Sequence, residues 1–121
     1  MVDDTSGKSQ SAIESMDAMV VASNYHRVLF ENDQVRVLET RIGPGEKTPV
    51  HTHRWSSVQY VLSWSPIKRY DDKGQVVFDS ESAGFNPPVG EAFWSPPIYA
   101  HFVENVGKQE LRVVAVELKN T

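Results

Sequence analysis

From residue 28 onward the chain is written in short runs of Val, Ile, Leu, Tyr and Phe, each closed within about ten residues by Gly, Pro, Asn or Asp. "VLFEND" ends in the turn pair Asn32–Asp33, and "QVRVLETRI" alternates, with Val35 and Val37 on one face and Arg36 and Leu38 on the other. "GPGE" (43–46) is a turn and "SVQYVLSW" (57–64) a strand. "DDKG" (71–74) turns into "QVVF", and "GFNPPVG" (84–90) is a loop. "EAFWS", "HFVEN" and "LRVVAVEL" (111–118) complete the series. Eight or so strands with no helical period among them can bury their apolar faces only by closing on one another. The pattern therefore predicts an all-β antiparallel barrel or sandwich.

The leading segment differs. Residues 1–11 are polar and read as a disordered tail. Over 12–23, Ile13, Met16, Met19 and Val20 recur at helical spacing behind a capping box of Ser11 and Glu14, which predicts one short N-terminal helix. It would cover an edge or mouth of the domain, residues 24–121, or meet a second copy. The start "MVDDTSGKSQ" lacks a basic stretch followed by an apolar run, and no stretch approaches the ~18 apolar residues of a membrane span. The expectation is a cytoplasmic protein with no membrane partner.

Composition narrows the chemistry. With no cysteine, disulfides, thiolate metal sites and thiol nucleophiles are excluded, and any metal must rest on His, carboxylate or carbonyl groups. The net charge of −4 and the lack of a Lys/Arg cluster argue against nucleic acid as a partner. Attention falls on the four histidines. In "HTHRWSSVQY" (51–60), His51 and His53 would share one face of a strand, where two imidazoles can converge on one ion or simply be half-exposed neighbours.

The surroundings favour the ion. "GEKTPVHTH" runs from Gly45 through five residues to His51 and His53, and "GEAFWSPPIYAHFVEN" runs from Gly90 through Pro96 to His101 and Asn105. Here the chain resembles the cupin superfamily, whose two motifs read G-x5-H-x-H-x3/4-E-x6-G and G-x5-P-x-G-x2-H-x3-N. Residues 13 to 119 resemble in particular the small single-domain cupins of unassigned function. The resemblance implies a double-stranded β-helix, a jelly-roll barrel with one short N-terminal helix. It also implies a divalent transition metal held by His51, His53 and His101, and pairing into a homodimer.

Departures from the motifs carry information too. The glutamate slot falls on Ser57, or on Val58 by the longer count; the glycine slots hold Trp64 and Ile98. Ile98 implies that no positive φ is needed there. Three imidazoles without an acidic ligand would leave the ion close to its full +2 charge, drawing in anionic or chelating oxygen ligands. Fe, Ni, Zn, Cu and Mn all suit such a donor set.

Around the ion, Gln59 and Ser57 share an inward strand face. Gln59 either orients a ligand or fills a half-buried strand position; Ser57 is the weaker candidate. Trp55, Tyr60, Trp64, Phe93, Trp94, Tyr99 and Phe102 make an aromatic neighbourhood, read mainly as core or dimer contact. One of Phe93 and Trp94 must line the pocket, and alternation does not say which. Arg36, Glu39 and Arg41 read as a solvated face, Glu104 as pointing away from His101, and His26 as a surface residue off both motifs.

The leading expectation is a metal-dependent, dioxygenase-like enzyme acting on a small oxygenated or thiol substrate, or an isomerase if the ion is zinc or manganese. The second is a non-catalytic cupin that binds or senses a metal or small ligand. Because the imidazoles must be neutral to bind, metal should be lost as pH falls through the ~6.5 region where histidine titrates. Metal content after dialysis at stepped pH checks this.

Overall fold

The computed structural model describes residues 15–120. Within them lie one short helix, α1 (Ala18–Val21), and nine strands. The strands are β1 (His26–Glu31), β2 (Val35–Ile42), β3 (His51–His53), β4 (Ser57–Ser63), β5 (Ile67–Asp71), β6 (Val76–Asp79), β7 (Ala92–Ser95), β8 (Ile98–Asn105) and β9 (Leu111–Leu118). They form two sheets, of order β1-β2-β9-β4-β7 and β3-β8-β5-β6, and the pairs within each sheet are antiparallel. This is the all-β antiparallel architecture that the residue pattern predicts, in the jelly-roll form that the resemblance implies. β5 is the strand that no apolar run announces, because Lys68 and Arg69 interrupt "IKRYD".

β9 shows how the sequence loads the interior. Leu111, Val113, Ala115 and Glu117 are buried, while the residues between them are only half-buried. The inward row therefore passes from an apolar end to a carboxylate. At the apolar end Ile42, Val61, Trp64, Ile67, Leu111 and Val113 form the core, with Phe78, Phe85, Phe93 and Val103 packed on it. Burying such a cluster is the main favourable term in folding.

β2 corrects one expectation. Arg36 is buried with Leu38 on the inner face, and Glu39 is covered by the side chains of Arg27 and Arg112, to which it is hydrogen-bonded. Only Arg41 behaves as a solvated residue, pairing with Glu110. The strand alternation that groups Arg36 with Leu38 already carried this signal.

Within the helix expected over 12–23, the described residues show a break at Met16 and Asp17, between a helical Ser15 and α1. Asp17, extended at φ −55° and ψ 146°, caps α1 by accepting from the Met19 N–H at 3.0 Å. Before it the chain lies against β3: Thr52 N–H donates to the Met16 carbonyl at 2.8 Å, and Asp17 bridges Thr52 in parallel. Residues 1–14, with the Ser11–Glu14 capping box and the expected tail, lie outside the described residues.

Two turns set up the motifs. Gly45 at φ 78° and Gly90 at φ 89° occupy the left-handed region that disfavours any residue with a Cβ. Ile98, in the second glycine slot of the second motif, shows no positive φ; the unusual residue is Ala100, at φ 28°. There β8 carries a bulge: His51 faces His101 but His53 faces Ile98, so β8 spends one extra residue just before His101.

Asn105 locks this arrangement. Its side chain is fully buried; it accepts from Ser65 Oγ and the Gly107 N–H and donates to the carbonyls of Ile42 and Gln109, at 2.7–3.0 Å. Its backbone pairs with Gly45 and Glu46. Asn105→Ala should lower stability by roughly 3 kcal/mol, since several buried partners lose their bonds at once. Urea unfolding checks this, and a loss below about 1 kcal/mol would show the side chain to be dispensable.

Candidate metal centre

All four histidines of the chain meet between the two sheets. His51 and His53 lie on β3, His101 faces His51 from β8, and His26 opens β1. The His51 ring centroid is 4.4 Å from that of His101, 4.9 Å from His53 and 5.0 Å from His26; His53 lies 5.5 Å from His101 and 5.2 Å from His26. His26 is therefore no surface residue. It is only 4% exposed, because β1 begins at it and its register opposite Thr40 turns the ring inward. One nitrogen from each of His26, His51 and His53 lies within 4.8 Å of the others, so the tightest group of nitrogens takes in His26, with His101 beside it.

The hydrogen bonds decide which nitrogens are free. Carbonyl oxygens only accept, so His26 Nδ1–H donates to Ala22 O at 2.9 Å and His51 Nδ1–H donates to Pro49 O at 2.7 Å. His53 Nδ1 faces the Glu117 carboxylate at 3.5 Å. In each neutral ring the proton is thereby held on Nδ1 and the lone pair on Nε2. Yet His51 Nε2 and His53 Nε2 lie 3.2 Å apart. Two lone pairs this close repel unless a cation or proton lies between them. Two nitrogens ~2.1 Å from one ion would be separated by about 3.0–3.4 Å across right-angled to tetrahedral ligand angles. The donor set thus fits a divalent transition metal. His101 adds a buried Nδ1 without a hydrogen-bond partner.

Glu117 changes the electrostatics expected of a purely imidazole site. It is buried, its Oε1 accepts from Arg36 Nε at 2.6 Å, and its Oε2 faces His53. Arg36 in turn donates to both oxygens of Asp17 at 3.0 Å. Two carboxylates and one guanidinium leave one negative charge, placed behind His53. A carboxylate behind a ligating imidazole makes it a stronger donor and offsets part of an ion's charge. The site thus has an acidic group that the motif count did not show. Its signal was present: Glu117 falls in phase with the apolar residues 111, 113 and 115.

Burial would raise the Asp17 and Glu117 pKa values, but hydrogen bonds override it, from Arg36 to Asp17 and from His53 and Arg36 to Glu117, and both stay below the usual carboxylate range. Burial, with His53 nearby, pushes His26 down to about 3 and His51 down to about 4. Burial and the neighbouring imidazoles also hold His101 well below 6.5. Protons therefore compete for these nitrogens at a lower pH than the ~6.5 expected of ordinary histidines.

The site opens on a cavity of about 520 Å³. Ser57 is buried on its wall, which identifies the shorter motif count as the inward one, while Val58 points out. Gln59 also lines the wall and donates to Ser57 Oγ at 3.3 Å. Phe93 is the inward member of its pair and packs on Trp64 and Phe85; Trp94, 57% exposed, reaches only the rim. Glu104 points away from the histidines and accepts from Tyr70 Oη at 2.6 Å.

No family model matches the chain, and no curated protein sequence matches it. Solved structures do. A cupin domain from Bordetella pertussis Tohama I shares 26% identity over 78% of this chain and 91% of that one, with a TM-score of 0.61. An RmlC-like cupin with a double-stranded β-helix fold from Methanocaldococcus jannaschii shares 12% identity over 77% of each chain, with a TM-score of 0.54. The polyketide cyclase RemF from Streptomyces resistomycificus shares 24% over 77% of this chain and 63% of that one, at 0.50.

The depressed histidines have a consequence for the metal-free protein. Unfolding restores them to about 6.5, so between that value and about 3–4 the unfolded chain binds more protons than the native one. Stability should be fully present above pH 6.5 and decline as pH falls, by up to ~1.4 kcal/mol per pH unit for each histidine involved. Urea midpoints of chelator-treated protein should drop between about pH 7 and 5, and His26→Gln should flatten the slope. A midpoint independent of pH across that range would contradict the assignment.

Proposed function

We propose that this chain, which has the cupin double-stranded β-helix fold, binds one divalent transition metal through His51, His53 and His101, with His26 completing a four-imidazole shell. The observation that carries the reading is the pair of Nε2 atoms 3.2 Å apart, on rings whose Nδ1 protons are turned toward oxygen acceptors. The buried, unpartnered Nδ1 of His101 supports it. Fe, Ni, Zn, Cu and Mn all suit the donors.

The function that follows is metal-dependent transformation of a small oxygenated or thiol substrate. A redox-active ion would supply dioxygen chemistry, and zinc or manganese Lewis acidity for isomerisation. The chain's own part is positional. Glu117 holds the His53 ring in place, Ser57 and Gln59 offer a hydroxyl and an amide on the cavity wall, and Trp64, Phe85 and Phe93 exclude water. A second, non-catalytic reading, a cupin that binds or senses a metal or small ligand, draws on one observation. Among the described residues Glu117 is the sole carboxylate on the cavity wall, and Arg36 and His53 already engage it, so no free general base stands there.

A homodimer belongs to the same proposal. It is supported by Val58, Tyr60 and Trp94, exposed on the outer faces of β4 and the edge strand β7.

Metal analysis of tag-free protein should find close to one ion per chain at neutral pH. His51→Ala or His53→Ala should abolish retention, and Glu117→Gln should weaken affinity by about 10–100-fold. Oxygen uptake with diketones and thiols after anaerobic loading then separates the two readings: substrate-dependent uptake marks the enzyme, and bound metal without turnover marks the binding module. A protein that takes up no metal at neutral pH ends the enzyme reading and the metal-binding form of the second.

A further inference from the structure

Two arginines lie on the inner faces of this fold, and they are treated differently. Arg36 has two carboxylates against its guanidinium. Arg69, half-buried on β5, lines the cavity with no ion pair or side-chain hydrogen bond among the described residues. Its guanidinium carbon sits 5.1 Å from the centre of the Phe78 ring, directly across the β5–β6 pair, which fixes where it points. Burial lowers its pKa, and no anion among the described residues counters the effect. On the other side Arg69 faces Val103, one inward position along β8 from His101. Two strand residues span about 6–7 Å, so Arg69 enters the cavity wall one such step along the sheet from His101.

Apart from the histidines, Glu117 and a few neutral polar groups such as Ser57 and Gln59, the wall is mainly apolar and aromatic, with Ile42, Trp64, Phe85 and Phe93 around a space of about 520 Å³. An uncompensated cation in such surroundings is unfavourable unless something negative meets it. A planar guanidinium makes a two-point contact with a carboxylate or a phosphate, but Arg69 brings one positive charge, which a carboxylate neutralises and a phosphate dianion would exceed inside a largely apolar cavity.

We propose that the ligand of this cavity is a small carboxylic acid with an aromatic or branched apolar body, its carboxylate on Arg69 and its opposite end toward the histidines. Only the orientation of that opposite end rests on the metal reading; the carboxylate contact does not.

The test uses calorimetric titration of the metal-loaded full chain, and of the chelator-treated chain, with 3-phenylpropanoate and its neutral isostere 3-phenylpropanamide. The acid should bind at least about tenfold more tightly than the amide. Arg69→Met should erase that preference, and Arg69→Lys, which keeps the charge but not the fork, should retain part of it. Metal stoichiometry should be unchanged in both variants. Equal binding of acid and amide, absence of binding by either, displacement by inorganic phosphate at equal affinity, or an Arg69→Met protein that keeps the preference would each overturn the proposal. The acid-over-amide comparison on the unaltered chain stands even if a variant misfolds. If the preference persists in protein that takes up no metal, the Arg69 site survives while the metal reading falls. Metal uptake without the preference has the opposite meaning: the metal reading stands and the Arg69 site is lost.

Discussion

Arg36 is a cation withdrawn from water, and the surroundings of the histidines depend on how its charge is met. Its guanidinium holds both oxygens of Asp17 and one of Glu117, and the remaining Glu117 oxygen faces His53. One network thus ties the segment before α1 to β2, β9 and β3. A buried ion pair of this kind contributes little net stability against an apolar alternative, but losing one partner strands an uncompensated charge. Its consequence is therefore geometric. It holds the leading segment against β3, and it leaves one negative charge at the back of an imidazole.

That charge matters because the histidines are crowded, with ring centroids 4.4–5.5 Å apart. Burial disfavours protonation of His26, His51 and His101, while backbone carbonyls hold the Nδ1 protons of His26 and His51 away from the shared centre. The bulge in β8, with Ala100 at positive φ, brings His101 opposite His51. Lone pairs, not protons, are presented to a common point. The glutamate absent from the first motif has its electrostatic counterpart in Glu117, which acts through His53 from a different strand.

Much of this was legible in the residue pattern, though unevenly. Strands of strict alternation such as β9 could be read directly, and the spacing of Gly45, His51, His53, Gly90 and His101 marked where the chemistry lies. Short elements were harder. β5 hides behind Lys68 and Arg69, and α1 starts afresh at Ala18 because Asp17 caps it after Met16 has bonded across to Thr52 of β3. His26 and Glu117 lie 25 residues before and 16 residues after the nearest motif histidine. Their inclusion follows from β1 pairing with β2 and β2 with β9, long-range contacts that no local window contains.

The amino-acid sequence by itself determined the class of fold, the two turn glycines and the pair of imidazoles on one strand, because alternation and left-handed turns are properties of neighbouring residues. Only the tertiary structure decided that a fourth histidine joins them, that a carboxylate stands behind His53, that Phe93 faces inward where Trp94 does not, and that Arg69 meets no anion among the described residues. Each of these is set by which strands pair and in what register, and a shift of one residue would turn every such side chain to the opposite face.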